Sequence, residues 1–277
     1  MRYALLLIFA AASCLHAADP AIDQGFNRLY NFDFAGAHRV IDPYIAKNPD
    51  DPLGYAVRAS ALLFEELDRL QILESEFFSS DKRITDKKKL KPDPVLRQRF
   101  MDAVAAVEAK ATVQLQQDPQ NANALFALSL AYGLTADYTS LVEKRQWASF
   151  RPVKQSTEYA TRLLKSHPNF TDAYLTTGLT EYLVGSLPIF LRWFVKIDGV
   201  EGSKEQARVK LTRVSESGRY LKPFARILLS IFYLREKQPT ESTKILASLS
   251  RDFPENPLFK RELTKIQSEI RTDSGSR

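Results

Sequence analysis

Two histidines, His38 and His167, carry the most versatile chemistry beyond the first eighteen residues, since imidazole transfers protons and binds metal ions near neutral pH. Neither has a second histidine, a cysteine or a carboxylate beside it at the spacing of metal ligands. The sequence therefore predicts a structural or surface role for both histidines and no metal site.

The other reactive side chains also lack the neighbours that catalysis needs. The chain has no Gly-x-Ser-x-Gly motif, and Gly-Val-Glu-Gly at 199–202 is too short to bind phosphate, so we expect a turn there. Ser203 and Gln206 have the spacing of a capping box at a helix start. Glu65 and Glu66 diverge on a helix, which predicts solvated charges. The sequence thus predicts no catalytic residue and no cofactor.

The composition indicates which elements must position these residues. Only 10 of the 277 residues are glycine, while 44% are hydrophobic and 26% charged, which favours long helices over hairpins. The formal charge of +6 is too small and too dispersed to predict a nucleic-acid partner. The single cysteine excludes an internal disulfide and a cysteine-clustered zinc site.

The N-terminus has the layout of a secretory signal peptide over residues 1–18. A positive start at Arg2 precedes an apolar run at 4–12, which is too short to span a membrane, and small residues follow. Cys14 offers an alternative, because Ala-Ala-Ser-Cys resembles a weak bacterial lipobox for a lipid anchor. We expect an exported protein, periplasmic or outer-membrane associated if bacterial, with no transmembrane span in the mature chain.

Helical periodicity continues through most of residues 19–277, which we predict to be one all-α domain. A proline turn recurs between amphipathic stretches, where it ends one helix and suits the start of the next. Small residues recur at fixed offsets after these prolines, as close helix packing requires. The four marker prolines are Pro49, Pro119, Pro168 and Pro254.

These residues resemble the tetratricopeptide repeat (TPR) family, whose unit is a helix-turn-helix of about 34 residues. The best copy runs over 223–254, with Leu-Ser-Ile-Phe-Tyr at 229–233, then Ser242, Leu246 and Pro254; the first has Gly25, Ala37, Ile41 and Pro49 at the family's spacing. The resemblance implies an irregular right-handed superhelix of helix-turn-helix repeats with inserted helices. The chain is also similar to predicted-secreted bacterial repeat proteins of unassigned activity.

Two insertions interrupt the repeats. The first, over 79–94, is basic and is either a solvated loop or a contact for anionic lipid or an acidic partner. The second, over 183–202, is apolar. We predict a helix break at Gly185 and a short helix over 187–196 that packs against the stripe of Leu175, Leu179 and Tyr182.

Repeat solenoids act mainly by shape, through a long concave surface lined by the first helix of each pair. The resemblance places on that surface an apolar stripe, which is either core or a groove for a protein or peptide partner. We predict a non-catalytic binding or scaffolding module of the cell envelope; the alternatives are a lipid-anchored outer-membrane assembly subunit and a hydrolytic enzyme on a helical toroid. The candidate partner-binding residues are Phe126, Leu130, Leu175, Leu179 and Tyr182.

Overall fold

The computed structural model describes residues 20–73, 90–186 and 200–275, and these ranges contain helices and no strand. The leader over 1–18, Cys14, the greater part of the basic insertion and the proposed helix over 187–196 lie outside the described residues. The predicted all-α class is confirmed for the described part of the chain.

Eleven α-helices and one π-helical turn, Tyr138–Val142, make up the described ranges. In chain order the α-helices are α1 (Pro20–Tyr30), α2 (Phe34–Lys47), α3 (Pro52–Arg69), α4 (Pro94–Gln117), α5 (Ala122–Asp137), α6 (Gln146–Ser166), α7 (Ala173–Ser186), α8 (Lys204–Ser217), α9 (Lys222–Arg235), α10 (Pro239–Asp252) and α11 (Pro257–Gly275).

The four marker prolines all lie in short connections between helices, as predicted. These connections span 48–51, 118–121, 167–172 and 253–256. Acceptor side chains then satisfy backbone N–H groups that a helix start leaves without intrahelical partners. The predicted cap at Ser203 is confirmed, since its Oγ accepts from the Gln206 N–H at 3.2 Å.

Consecutive helices pack antiparallel, so the connections alternate between two edges of the molecule. Cross-helix contacts fix the direction: Thr157 of α6 bonds Thr180 of α7, and Gly178 of α7 faces Ala207 of α8. The proline turns share one edge, which we call the short-turn edge. The C-terminal ends of α3, α5 and α7 and the starts of α4, α6 and α8 share the opposite edge, which we call the long-loop edge.

Helices α3, α5 and α7 form the interior, and the helices beside them cover it. Residues of α5 and α7 are buried on nearly every side, whereas α2, α6 and α10 each bury one stripe. By length and composition the stretch Ala122–Val142 could cross a membrane, and most of it is buried among neighbouring helices. Its apolar character therefore has a sufficient explanation in packing.

The first helix contacts the turns beside the last helices, so the two ends of the array meet. Tyr30 of α1 donates its hydroxyl to the Tyr220 carbonyl at 2.9 Å, and its ring lies 5.5 Å from that of Phe253. Asn256 donates to the Tyr30 carbonyl at 2.9 Å.

Helix α7 runs through Gly185 to Ser186, so the predicted break at Gly185 is wrong. The glycine serves close packing instead, because a Cβ there would lie 2.8 Å from the Gly202 carbonyl oxygen. Gly202 has a φ of 76°, in the left-handed region that glycine adopts without strain. Together the two glycines let the segment before α8 cross the end of α7.

Candidate binding surface

The structure places the predicted partner-binding residues mainly in the interior. Phe126, Leu175 and Tyr182 are buried, at 2%, 6% and 4% exposure. The ring of Phe126 contacts Phe170 at 4.9 Å, and that of Tyr182 stacks on Phe232 at 3.5 Å. The rings of Phe126 and Tyr182 thus pack against aromatic residues of the same chain, which agrees with the interpretation of the stripe as core.

Leu130 and Leu179 differ from the other three because they are only half-buried. Leu179 lies one helical turn before Leu183, which is 48% exposed, so the two share a face of α7. The apolar stripe therefore reaches the surface where α7 meets the long-loop edge. At this end of α7 the stripe therefore leaves apolar surface exposed to a partner.

Three buried carboxylates, which sequence reasoning missed, secure the connections of the array. Glu66 is fully buried, so the prediction that it is solvated is wrong; it accepts from the Asp93 N–H at 2.8 Å and from Arg69 Nε at 2.7 Å. Glu181 accepts from the N–H groups of Gly202 and Ser203.

Asp172 is the third of these carboxylates and, unlike the other two, lies on the short-turn edge. It is 3% exposed and accepts from three consecutive backbone N–H groups, at 219–221, at 2.8 to 3.1 Å. A buried carboxylate with its lone pairs used by backbone donors is satisfied and held in place. These three carboxylates therefore position loops, and their oxygens are committed to that role.

The π-helical turn contains a second polar feature. Tyr138 is 1% exposed, its ring stacks on Phe100 at 5.0 Å, and its hydroxyl has no hydrogen-bond partner. Burial raises the pKa of Tyr138 to about 12, and the negative charge of Glu66 adds to the effect. The hydroxyl therefore stays protonated at physiological pH.

Three aspartates have raised pKa values, as a general acid would, but they occupy separate environments. Burial alone raises the pKa of Asp137 to about 7. Burial also raises the pKa of Asp172, which is used by backbone donors, and of Asp68, which lines a depression of about 320 Å³ with Arg261. The carboxylate pair that a hydrolase of the predicted alternative class requires is not formed by these three.

The two histidines lie where the sequence placed them, in α2 and in a turn. His38 is mostly buried with neither ring nitrogen hydrogen-bonded, and its Nε2 lies 3.9 Å from a Glu65 oxygen. Burial lowers the pKa of His38. His167 follows the last residue of α6, and its N–H caps that helix. Within residues 20–73, 90–186 and 200–275, no His, Cys, Asp and Glu residues group as metal ligands.

The most exposed large apolar side chain among the described residues is Trp147, at 81% exposure. It lies at the start of α6 on the long-loop edge, and its ring is 5.7 Å from that of Phe150. No role is assigned to this tryptophan from the sequence alone. The basic residues at 144, 145, 151 and 154 could have indicated that Trp147 lies on the surface, because charged side chains are rarely buried.

Comparison of the chain with the profiles of known protein families, with curated proteins and with solved structures returns no match.

Proposed function

We propose that the protein is an exported, non-catalytic binding or scaffolding module of the cell envelope, built from TPR-like helical pairs. The repeat assignment is supported by the pair α9–α10. Ser230 and Ser242 stand at the family's two small-residue positions, and their hydroxyls meet at 2.7 Å in a buried contact. Gly25 occupies the first of these positions in α1, where a Cβ would lie 2.9 Å from Val57.

Export is proposed from the sequence of residues 1–18. Cleavage after the small residues would release a soluble chain, and lipidation of Cys14 would anchor it to a membrane. Mass spectrometry of the native protein distinguishes these outcomes, through a new N-terminus between residues 14 and 19 or a diacylglycerol adduct on Cys14. An intact N-terminus on the bulk of the protein would contradict export.

The observation that carries the binding function is the surface at the end of α7. Leu179 and Leu183 extend the interior stripe to the long-loop edge, where the π-helical turn Tyr138–Val142 also lies. In repeat proteins the insertions collect on one face, which is often the binding face. The partner is a protein or peptide that presents apolar side chains to this stripe.

Site-specific photocrosslinking tests this assignment. A photoreactive residue at position 183 should capture a discrete partner in the native envelope, and the same residue at Val113, which is 53% exposed on α4, should capture none. Leu183→Glu should abolish capture from position 179, whereas Val113→Glu should leave it intact. Equal adducts from positions 183 and 113, or none from either, would contradict the proposal, as would turnover of a substrate abolished by one carboxylate change.

A further inference from the structure

The start of α6 presents an aromatic and cationic stripe to solvent. Trp147, Phe150, Arg151 and Lys154 follow one another at i, i+3, i+4 and i+7, which places them on one helix face. Trp147, Arg151 and Lys154 are all exposed, and Phe150 is half-buried beneath the indole. We call these four residues the Trp147 stripe.

The charge around the Trp147 stripe is strongly one-sided. From 143 to 154 the chain has four basic residues and a single acidic one, Glu143. Glu143 is already paired with Arg97 at 3.0 Å and with Arg145 at 3.2 Å. The stripe therefore projects an excess of positive charge beside an exposed indole.

The Arg97–Glu143 pair also ties the first turn of α4 to the segment before α6. Val95, which is 65% exposed, begins that turn of α4. A second exposed apolar side chain thus lies on the same edge as Trp147. The other ends of α4 and α6, on the short-turn edge, differ. Lys165 lies in the last turn of α6 and His167 follows that helix, and no aromatic ring is among the large exposed apolar side chains described there.

We propose that the Trp147 stripe docks the protein on an anionic phospholipid surface. Indole rings prefer the membrane–water interface, where the ring is buried and its N–H remains hydrated. Lysine and arginine beside it attract acidic headgroups and extend their charged ends along the interface. The surface is small and its anchors are few, so binding is reversible and depends on the acidic lipid.

Membrane docking adds a second contact to the proposed scaffold, separate from the leucine stripe on α7. A protein partner at the Trp147 stripe is the alternative occupant. The lipid surface fits the observations better, because the stripe pairs an interfacial aromatic ring with basic side chains and contains no acidic one. Here the tryptophan projects at a helix start and its neighbours on the stripe are cationic.

Vesicle flotation with the mature protein tests the proposal. Phosphatidylcholine vesicles with about 30% phosphatidylglycerol should bind it, and pure phosphatidylcholine should not; about 0.5 M salt should release it by screening. Trp147→Ala and the double variant Arg151→Glu/Lys154→Glu should each weaken binding about tenfold or more. Trp193 is the other of the two tryptophans in the sequence, so a Trp193→Phe background isolates the emission of Trp147, which should shift to the blue on binding.

The matched control is Lys47→Glu/Lys165→Glu, which makes the same charge change with two exposed lysines on the short-turn edge. Its vesicle affinity should stay within about twofold of the parent, because those residues face away from the membrane. Equal weakening by both double variants, binding without a blue shift, or no binding to anionic vesicles would each overturn the proposal. Loss of a protein partner from the Trp147 variants with vesicle binding unchanged would also overturn it.

Discussion

Asp137 shows how a single carboxyl group responds to the packed end of a helix. It lies in the last turn of α5, half-buried, and burial raises its pKa from 3.8 to about 7. Near pH 4 the group is protonated in the folded state and a little under half protonated in the unfolded state, so the two states still differ little in bound protons. As pH rises from about 4 to 7 the unfolded chain releases the proton and the folded chain retains it, so the relative stability falls.

Asp137→Asn should therefore match the parent near pH 4 and exceed its free energy of unfolding by about 1 to 2 kcal/mol at pH 8, a value reduced for the partial exposure of the group. Denaturant titrations at the two pH values measure the difference. Asp102→Asn, at an exposed aspartate of α4, is the control and should change little at either pH. A gain for Asp137→Asn that is the same at both pH values would count against burial as the cause.

Glu66 marks the limit of sequence reasoning at this scale. Adjacent glutamates were treated as equivalent, yet Glu66 is buried and Glu65 is 38% exposed at its side chain. The signal was present, since Glu66 follows the buried Leu62 and Leu63 at i+4 and i+3 and so shares their face. The partner of Glu66 could not be predicted, because the Asp93 N–H lies 27 residues away in the chain.

At the scale of elements, local chemistry predicted the helix boundaries at the four proline turns and at Ser203. Proline and acceptor side chains fix φ or satisfy free N–H groups within a few residues, so turns such as 118–121 follow from the sequence alone. Gly185 was misassigned because glycine weakens a helix by local propensity but also permits close contact between helices. Which role applies depends on a segment 17 positions away in the sequence, at Gly202.

Gly185→Ala should lower the free energy of unfolding by about 1 to 3 kcal/mol, because the new methyl group would overlap the backbone of Gly202. Gly133→Ala in α5 is the matched control. A Cβ there meets only Ser156 Oγ at 3.4 Å, so the better helix propensity of alanine should offset or exceed the crowding, within about 1 kcal/mol. Thermal or denaturant melts of the two variants would refute the packing role if both changed stability equally.

At the scale of the whole molecule, one part of the apolar stripe of the odd helices is buried and another part is exposed. Over most of its length it meets aromatic residues from distant helices, as in the Phe64–Phe224 and Phe126–Tyr220 pairs, and forms core. Among the described residues of the odd helices, a large apolar side chain is exposed only at the end of α7, at Leu183. Periodicity predicts that a helix face is apolar but not whether the array curls until its ends meet, since that depends on many small packing angles.

Closure of the array predicts cooperative unfolding between its ends. An open repeat array transmits a defect only to neighbouring repeats, because each unit contacts only those beside it. Here Tyr30 of α1 contacts Phe253 after α10 and accepts from Asn256 before α11. Tyr30→Ala removes the ring and the hydroxyl bond to Tyr220, which should cost about 2 to 4 kcal/mol.

Native-state hydrogen exchange should then show that amides of α10 and α11 lose protection together with those of α1. These helices lie more than 200 residues from the substitution in the sequence, and the hydrogen bond between Asn256 and Tyr30 spans 226 residues. Tyr55→Ala is the control: Tyr55 is also half-buried, but its hydroxyl bonds the nearby Pro49 carbonyl, so protection should fall around α2 and α3 only. If Tyr30→Ala loosened only α1 and its neighbours α2 and α3, the ends would be energetically independent and the array open in solution.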